Sequence, residues 1–254
     1  MSQHPCWMIL DPEENMQYLK VKLFGDSIMG RVVQDPATGR YQRLEAVEDV
    51  RTSDLQLDLV NSSKFGATIG KGRRLVDKCL EKEPDCQAIL LNYGGNDCNF
   101  DWAKIGEDPE LDHQAATPLD VFYQGYLDLV ARIRDKGIRP VLANLVPIDA
   151  GKFFDTWIKP LQGQDRILTW LGDKEAIYRW HEMYSLKVEA VARETDTPLL
   201  DLRSLFLKNR HYQSLIGPDG MHPTKSGHDL ILESVYQFLE GLKLHQGGSV
   251  LLLD

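Results

Sequence analysis

Apolar and polar positions follow two rhythms along this chain. Five short apolar runs read as strands: "LKVKLFG" (19–25), "LQLDLVN" (55–61), "AILLNYG" (88–94), "RPVLANLV" (139–146) and "TPLLDL" (197–202). Several are apolar almost throughout, as expected where both faces of a sheet are covered. Between them the apolar residues step by threes and fours. Leu75, Cys79 and Leu80 suit one face of a helix over about 67–83. Phe122, Tyr126, Leu129 and Ile133 form a second face, Ile177, His181, Tyr184, Val188 and Val191 a third, and Ile231, Val235, Phe238 and Leu242 a last. The second helix has a start signal: Thr117 as N-cap, Pro118 in the first turn and Asp120 near the positive end. Alternation of strand and helix predicts an α/β fold, a parallel sheet wrapped by helices through right-handed crossovers. No internal repeat, low-complexity stretch or long linker interrupts it, so residues 1–254 read as one domain.

In such sheets ligands bind at the carboxyl ends of the strands. Those ends read "GDS", "NSSKFGAT", "GGND", "PIDAGKFF" and, beyond the fifth strand, "GPDGMHP". Four of the five are more polar and glycine-rich than turn chemistry requires. Ser27 reads as a nucleophile or as a turn serine. It is not on a Gly-x-Ser-x-Gly elbow, because position 29 is Met29. Asp219 and His222, three apart, let one loop carry an orienting acid and a base, or form a Pro/Gly turn before the last helix. Asn96 can donate its amide to an oxyanion, or serve as the Asn of a glycine turn. Gly66 offers a backbone N–H near the next helix start, or is a loop glycine.

Composition narrows the partners. The 254 residues are 43% hydrophobic and 26% charged, enough to bury a core without staples. A net charge of −9 argues against nucleic acid or an anionic membrane surface as main partner. Cys6, Cys79, Cys86 and Cys98 make no Cys-x-x-Cys pair and read as free thiols of a reducing compartment. The opening "MSQHPCWMILDPEENMQ" lacks the pattern of a leader, and no run is long enough for a membrane helix, so a cytoplasmic protein is expected.

Taken together, the four blocks resemble the SGNH hydrolases, or GDSL-type esterases: "GDSIMG" around Ser27, "NSSKFGAT" with Gly66, "GGND" with Asn96, and "DGMHPTKSGH" with Asp219 and His222. They stand in the family's order across residues 23–228. The resemblance implies a three-layer α/β/α sandwich around a five-stranded parallel sheet, flavodoxin-like in kind. It implies Ser27, His222 and Asp219 as the catalytic triad of an ester hydrolase. It also implies an oxyanion hole from the Ser27 and Gly66 N–H groups and the Asn96 amide, with no cofactor and no metal. Acylation is then expected to fall as the His222 imidazole takes up a proton.

Other readings of these residues are weaker. A metal-dependent phosphoesterase built on Asp26, Asn96, Asp219 and His222 lacks ligands for a two-metal site, and "GGND" has no following His. His181 opens "HEMYS", without the second His of a zinc-protease helix. His228 reads as structural, Asp97 as a supporting hydrogen-bonding group, and Asp26 as a turn anchor that can also meet substrate. Residues 98–116 and 147–175 are long for connections and carry Phe100, Trp102, Phe153, Phe154, Trp157 and Trp170. They are expected to be active-site insertions, either walls for a substrate or local core. Phe153 and Asp149 are the candidate substrate contacts there. The expected substrate is a short-acyl ester, an O-acetylated sugar included. A thioesterase or lipase-like hydrolase, or a catalytically silent binding module, are the alternatives, and a homo-oligomer is left open.

Overall fold

A computed structural model describes residues 19–45 and 57–244. Cys6, the opening segment and residues 55–56 of the second predicted strand lie outside the described residues. The strands are β1 (Leu19–Gly25), β2 (Val32–Gln34), β3 (Tyr41–Arg43), β4 (Leu57–Asn61), β5 (Ala88–Asn92), β6 (Arg139–Ala143) and β7 (Leu199–Leu200). Five of them form one parallel sheet in the order β4-β1-β5-β6-β7. The helices are α1 (Ile69–Leu80), α2 (Trp102–Glu107), α3 (Leu119–Asp135), α4 (Ala150–Phe153), α5 (Gln164–Leu171), α6 (Glu175–Glu194), α7 (Leu202–Leu207) and α8 (Lys225–Leu244).

Side chains of a strand point alternately to opposite faces, and the two cores follow that rule. Leu19, Val21 and Leu23 of β1, with Leu90 of β5 and Val141 of β6, pack under α7 and α8. Phe24, Ile89, Leu91 and Leu142 face the other way, onto α1, α3 and α6. The result is the expected three layers. The helical stripes at Phe122, Tyr126, Leu129 and Ile133 and at Ile177, His181, Tyr184, Val188 and Val191 are buried throughout.

Two local expectations change. The strands stop short of residues 93–94, 144–146 and 201–202. Apolar Leu145 and Val146 lie beyond β6 because they enter the two cores from a loop, and Asp201 already caps α7 by accepting the Ser204 N–H at 2.9 Å. Thr117 does not cap α3: its hydroxyl donates to Asp97 Oδ1 at 2.6 Å. Asp97, fully buried, also accepts the Ile69 N–H at 3.0 Å, so a carboxylate from the β5 loop satisfies the start of α1.

The insertions join in a third apolar cluster that includes Trp102, Ile105, Phe154, Ile158 and Ile167. A π-helical turn, Phe154–Ile158, follows α4. A short antiparallel hairpin, β2 with β3, stands apart from the main sheet. Among the described residues no helix is long and apolar enough to cross a membrane.

Candidate active site

The β1 strand ends beside β5, with Gly25 paired to Asn92. The chain then turns: Asp26 Oδ1 accepts the Ile28 N–H at 2.9 Å, and the Asp26 carbonyl accepts the Gly30 N–H at 3.0 Å. Ser27 is held at this corner, 5% exposed. From the far end of the chain, the loop before α8 closes on itself. Gly217 N–H donates to the His222 carbonyl at 2.7 Å, and Ile216 bridges to Pro223. Inside this loop Asp219 Oδ1 accepts the N–H groups of Met221 at 3.0 Å and His222 at 2.9 Å.

These two corners meet. Asp219 Oδ2 lies 2.6 Å from His222 Nδ1, and His222 Nε2 lies 2.9 Å from Ser27 Oγ. Asp219 and His222 are buried almost completely. Burial pushes the Asp219 carboxyl up, but the His222 hydrogen bond and charge and the two loop N–H groups outweigh it and hold it below the usual carboxylate range. An ionised Asp219 assigns the ring proton to Nδ1 and leaves Nε2 to accept from the Ser27 hydroxyl.

Around this line the other sequence-derived residues divide. Gly66 does not start the helix: it sits in a turn at φ +64°, three residues before α1. Among the described residues neither the Ser27 nor the Gly66 N–H has a protein acceptor. Asn96 borders the same cleft as Ser27, and its Nδ2 donates to Asp26 Oδ2 and to the Ala67 carbonyl, both at 3.2 Å. Asp26 is 2% exposed, with both carboxylate oxygens used by Ile28 and Asn96. It anchors the Ser27 turn, orients Asn96 and borders the small hole beside Ser27. Burial pushes its carboxyl up to about 6 against the pull of the Ile28 N–H and the His222 charge.

Asp149, the other carboxylate expected to meet substrate, stands outside the cleft lining. It caps α4, accepting the Lys152 N–H at 3.0 Å, and borders none of the three cavities described next. Phe153 does border the cleft. His228 is structural, its Nε2 bonded to the Val32 carbonyl at 2.8 Å. Among the described residues no three His, Cys, Asp or Glu side chains are grouped to hold a metal ion.

Three adjoining spaces lie at this corner, two of them lined by Ser27. The cleft over Ser27 and His222 measures about 180 Å³, with Phe65, Trp102, Phe153 and Trp157 on its walls. A hole of about 20 Å³ beside Ser27 is bounded by Asn92, Gly95, Val146 and Ile148. A cavity of about 340 Å³ lies behind the β5 loop, under α6.

Sequence reasoning missed several neighbours of the line. Tyr41, on β3, donates its hydroxyl to Asp219 Oδ2 at 2.9 Å and sets its ring 5.0 Å from that of His222. Phe65 stacks on His222 at 6.0 Å and 5°. Trp157 donates its indole N–H to the Asp219 carbonyl at 3.1 Å. The Asp35-Pro36 pair and Gly39 are turn signals that could have located the hairpin carrying Tyr41.

A model of the GDSL-like Lipase/Acylhydrolase family matches residues 23–230. No curated protein matches the sequence. Solved structures with the same fold include a lipase/acylhydrolase from Enterococcus faecalis, 18% identical over 88% of this chain and 96% of that one, TM-score 0.57. An alpha/beta hydrolase enzyme from the metagenome of Lake Arreo, Spain, is 18% identical over 89% and 96%, TM-score 0.60. A catalytic mutant of Axe2, an acetylxylan esterase from Geobacillus stearothermophilus, is 16% identical over 88% and 94%, TM-score 0.58.

Proposed function

The chain belongs to the GDSL-like lipase/acylhydrolase family and is a carboxylic ester hydrolase, and from that premise we propose that it works through Ser27, His222 and Asp219 by way of an acyl-enzyme on Ser27. The observation that carries this reading is the continuous line from the Ser27 hydroxyl through His222 to Asp219, at 2.9 and 2.6 Å. Ser27 Oγ attacks the ester carbonyl while His222 Nε2 takes its proton; ionised Asp219 stabilises the imidazolium. His222 then protonates the leaving alcohol, and in the second half it activates water to release the acid. The unpaired N–H groups of Ser27 and Gly66 receive the oxyanion, and the Asn96 amide joins them by exchanging one of its two 3.2 Å bonds, to Asp26 or to the Ala67 carbonyl, for the substrate oxygen. Loss of one such donor lowers kcat by ~10²–10³.

The hole beside Ser27 supports a short acyl group. Its 20 Å³ admits about one water-sized group, which suits the methyl of an acetyl ester. The cleft, walled by Phe65, Trp102 and Trp157, suits stacking of the alcohol half, a sugar ring included. A second reading, a thioesterase or lipase-like hydrolase of longer acyl groups, draws on the 340 Å³ cavity. The three unbridged cysteines Cys79, Cys86 and Cys98 support the expected cytoplasmic setting.

A fluorophosphonate tests the mechanism. One equivalent is expected to label Ser27, with no label on Ser27→Ala. A folded wild type that takes no label would favour the silent binding module. p-Nitrophenyl esters of rising chain length, acetylated sugars and acyl thioesters then test the substrate: turnover is expected to peak at acetyl or propionyl. A peak at longer chains favours the second reading.

A further inference from the structure

The 340 Å³ cavity adjoins the active site: it shares Trp102, Phe153 and Met221 with the cleft, and Gly95, Ile148 and His181 with the hole beside Ser27. Aromatic rings wall it at steep angles: Phe100 stands 5.2 Å from Trp170 at 74°, and Trp102 stands 6.5 Å from Trp170 at 78°. Two of the indole N–H groups are already spent within the protein. Trp102 Nε1 donates to Asn99 Oδ1 and Trp180 Nε1 to the Cys98 carbonyl, each at 2.9 Å. What Phe100, Trp102 and Trp180 offer the cavity is therefore ring surface, which receives another flat ring edge to face or offset.

Of the polar side chains in the lining, Asn99, His113 and His181, only His181 is buried. It borders both the cavity and the hole and is 5% exposed. Its Nδ1 is sealed without a hydrogen-bond partner, and among the described residues its Nε2 has no protein partner either. Burial, and then the charge of Arg203, keep the ring neutral at physiological pH. A neutral imidazole holds one proton. The Arg203 side chain is buried off the cavity lining, against Tyr178 and Glu182. A sealed nitrogen without a partner is tolerated better as a lone pair than as an N–H, which leaves the proton on Nε2, the nitrogen that is not sealed.

We propose that this cavity binds a ring-sized apolar group of the ester, and that the His181 Nε2–H selects a hydrogen-bond-accepting oxygen on that group. The proposal rests on the ester-hydrolase reading, and the ring can belong to the acid or to the alcohol half.

The test begins in Ser27→Ala, where binding is read by tryptophan fluorescence without turnover. The ligands are methyl 3-phenylpropanoate and 2-phenylethyl acetate, the three methoxy isomers of each, and methyl octanoate as a flexible chain of similar size. In at least one half of the ester, one methoxy isomer is expected to bind ~10-fold tighter than its unsubstituted parent. Adding His181→Leu is expected to bring that ratio to about one, and His181→Gln, which keeps an N–H donor, to retain part of it. With Ser27 intact, the same ratio in kcat/KM shows which half of the ester enters. Tighter binding of octanoate than of either ring, no methoxy preference, or a ratio untouched by His181→Leu overturns the proposal. Where His181→Leu does not fold, Trp170→Ala decides: it must weaken ring binding ~10-fold, or the subsite is wrong. Ring binding with the expected ratio, but no turnover of any ester by the intact protein, counts against hydrolysis while supporting the subsite.

Discussion

Asp219 Oδ2 serves two donors, the His222 ring and the Tyr41 phenol. Burial and then the Asp219 charge push the Tyr41 phenol above its ordinary range, so it stays a donor at any working pH. A phenol that donates to the carboxylate draws off part of the negative charge that would otherwise act on the imidazolium. Tyr41→Phe removes that draw. The carboxylate becomes more basic and pairs more strongly with protonated His222, so the acid limb of the kcat/KM profile is expected to move up by roughly half a pH unit. The rate at the plateau is expected to fall less than about tenfold. A stopped-flow profile over the acid limb checks this. A drop in rate with an unmoved limb would assign Tyr41 to packing alone, through its contacts with Phe65 and Trp157.

At the scale of elements, the insertion after β6 buttresses the loop that carries acid and base. Asp149 N–H donates to the Gly220 carbonyl at 2.8 Å, Thr156 Oγ1 to the Pro218 carbonyl at 3.2 Å, and Trp157 Nε1 to the Asp219 carbonyl. Gly220 is the closest point. Its φ is +76°, and a Cβ there would stand 2.3 Å from Phe153 N and 2.5 Å from the Asp149 carbonyl oxygen. Both are backbone atoms, so one chain must shift. Gly220→Ala is expected to cost ~2–4 kcal/mol in a denaturant melt, combining overpacking with left-handed strain. It is also expected to lower kcat/KM by ~10² or more, as the imidazole moves off Ser27. Gly137→Ala is the control. Gly137 has φ +70° but nothing within 4 Å of its Cβ position, so only the strain, about 1 kcal/mol, should appear and activity should hold. Equal losses in the two variants would remove the buttress from the account.

The sheet and four main helices were legible because burial on both faces of a strand, and on one stripe of a helix, leaves a periodic mark in the residues themselves. The Ser27 and His222 corners were legible because glycine and polar residues at strand ends interrupt that mark. The strand ends were not: Leu145 and Val146 continue the apolar run of β6 although they pack as loop. Nor was the hairpin. Its strands are three residues long, and Gln42 and Arg43 are exposed, so no period-two signal betrays it. Asp149 reads from its place after a strand end as a cleft carboxylate, and only the geometry of α4 reveals that it accepts the Lys152 N–H of that helix. The cavity's polar feature was hidden in the same way. His181 completes an otherwise apolar helical stripe, and a stripe does not say whether its far side meets another side chain or a space.

Across the whole molecule, buried titratable groups pull stability in opposite directions over one pH range. Burial holds His181 down to about 3 and His228 down to about 4, so both stay neutral in the fold while the unfolded chain protonates them below its ordinary 6.5. Their contribution to stability is complete above 6.5 and is lost as the pH falls. Burial raises Asp97 from its ordinary 3.8 to about 6, ahead of the opposing bonds from Thr117 and Ile69, and Asp26 is raised likewise. Here the sign reverses: the fold keeps a proton that the unfolded chain releases, so this contribution is complete below 3.8 and is lost as the pH rises through 6. Between pH 4 and 6 the two slopes overlap, and a melt of the wild type alone mixes them. Asp97→Asn separates them, because an amide oxygen still accepts from Ile69 and Thr117 but cannot ionise. The stability of the wild type relative to this variant is expected to decline by ~3 kcal/mol from pH 4 to pH 6.5 and then to level off, a shift of about two units at 1.36 kcal/mol each. Urea titrations of both proteins at half-unit steps measure it. Parallel curves would mean that Asp97 is already ionised at pH 4, and that the start of α1 is held by a charge rather than by a shared proton.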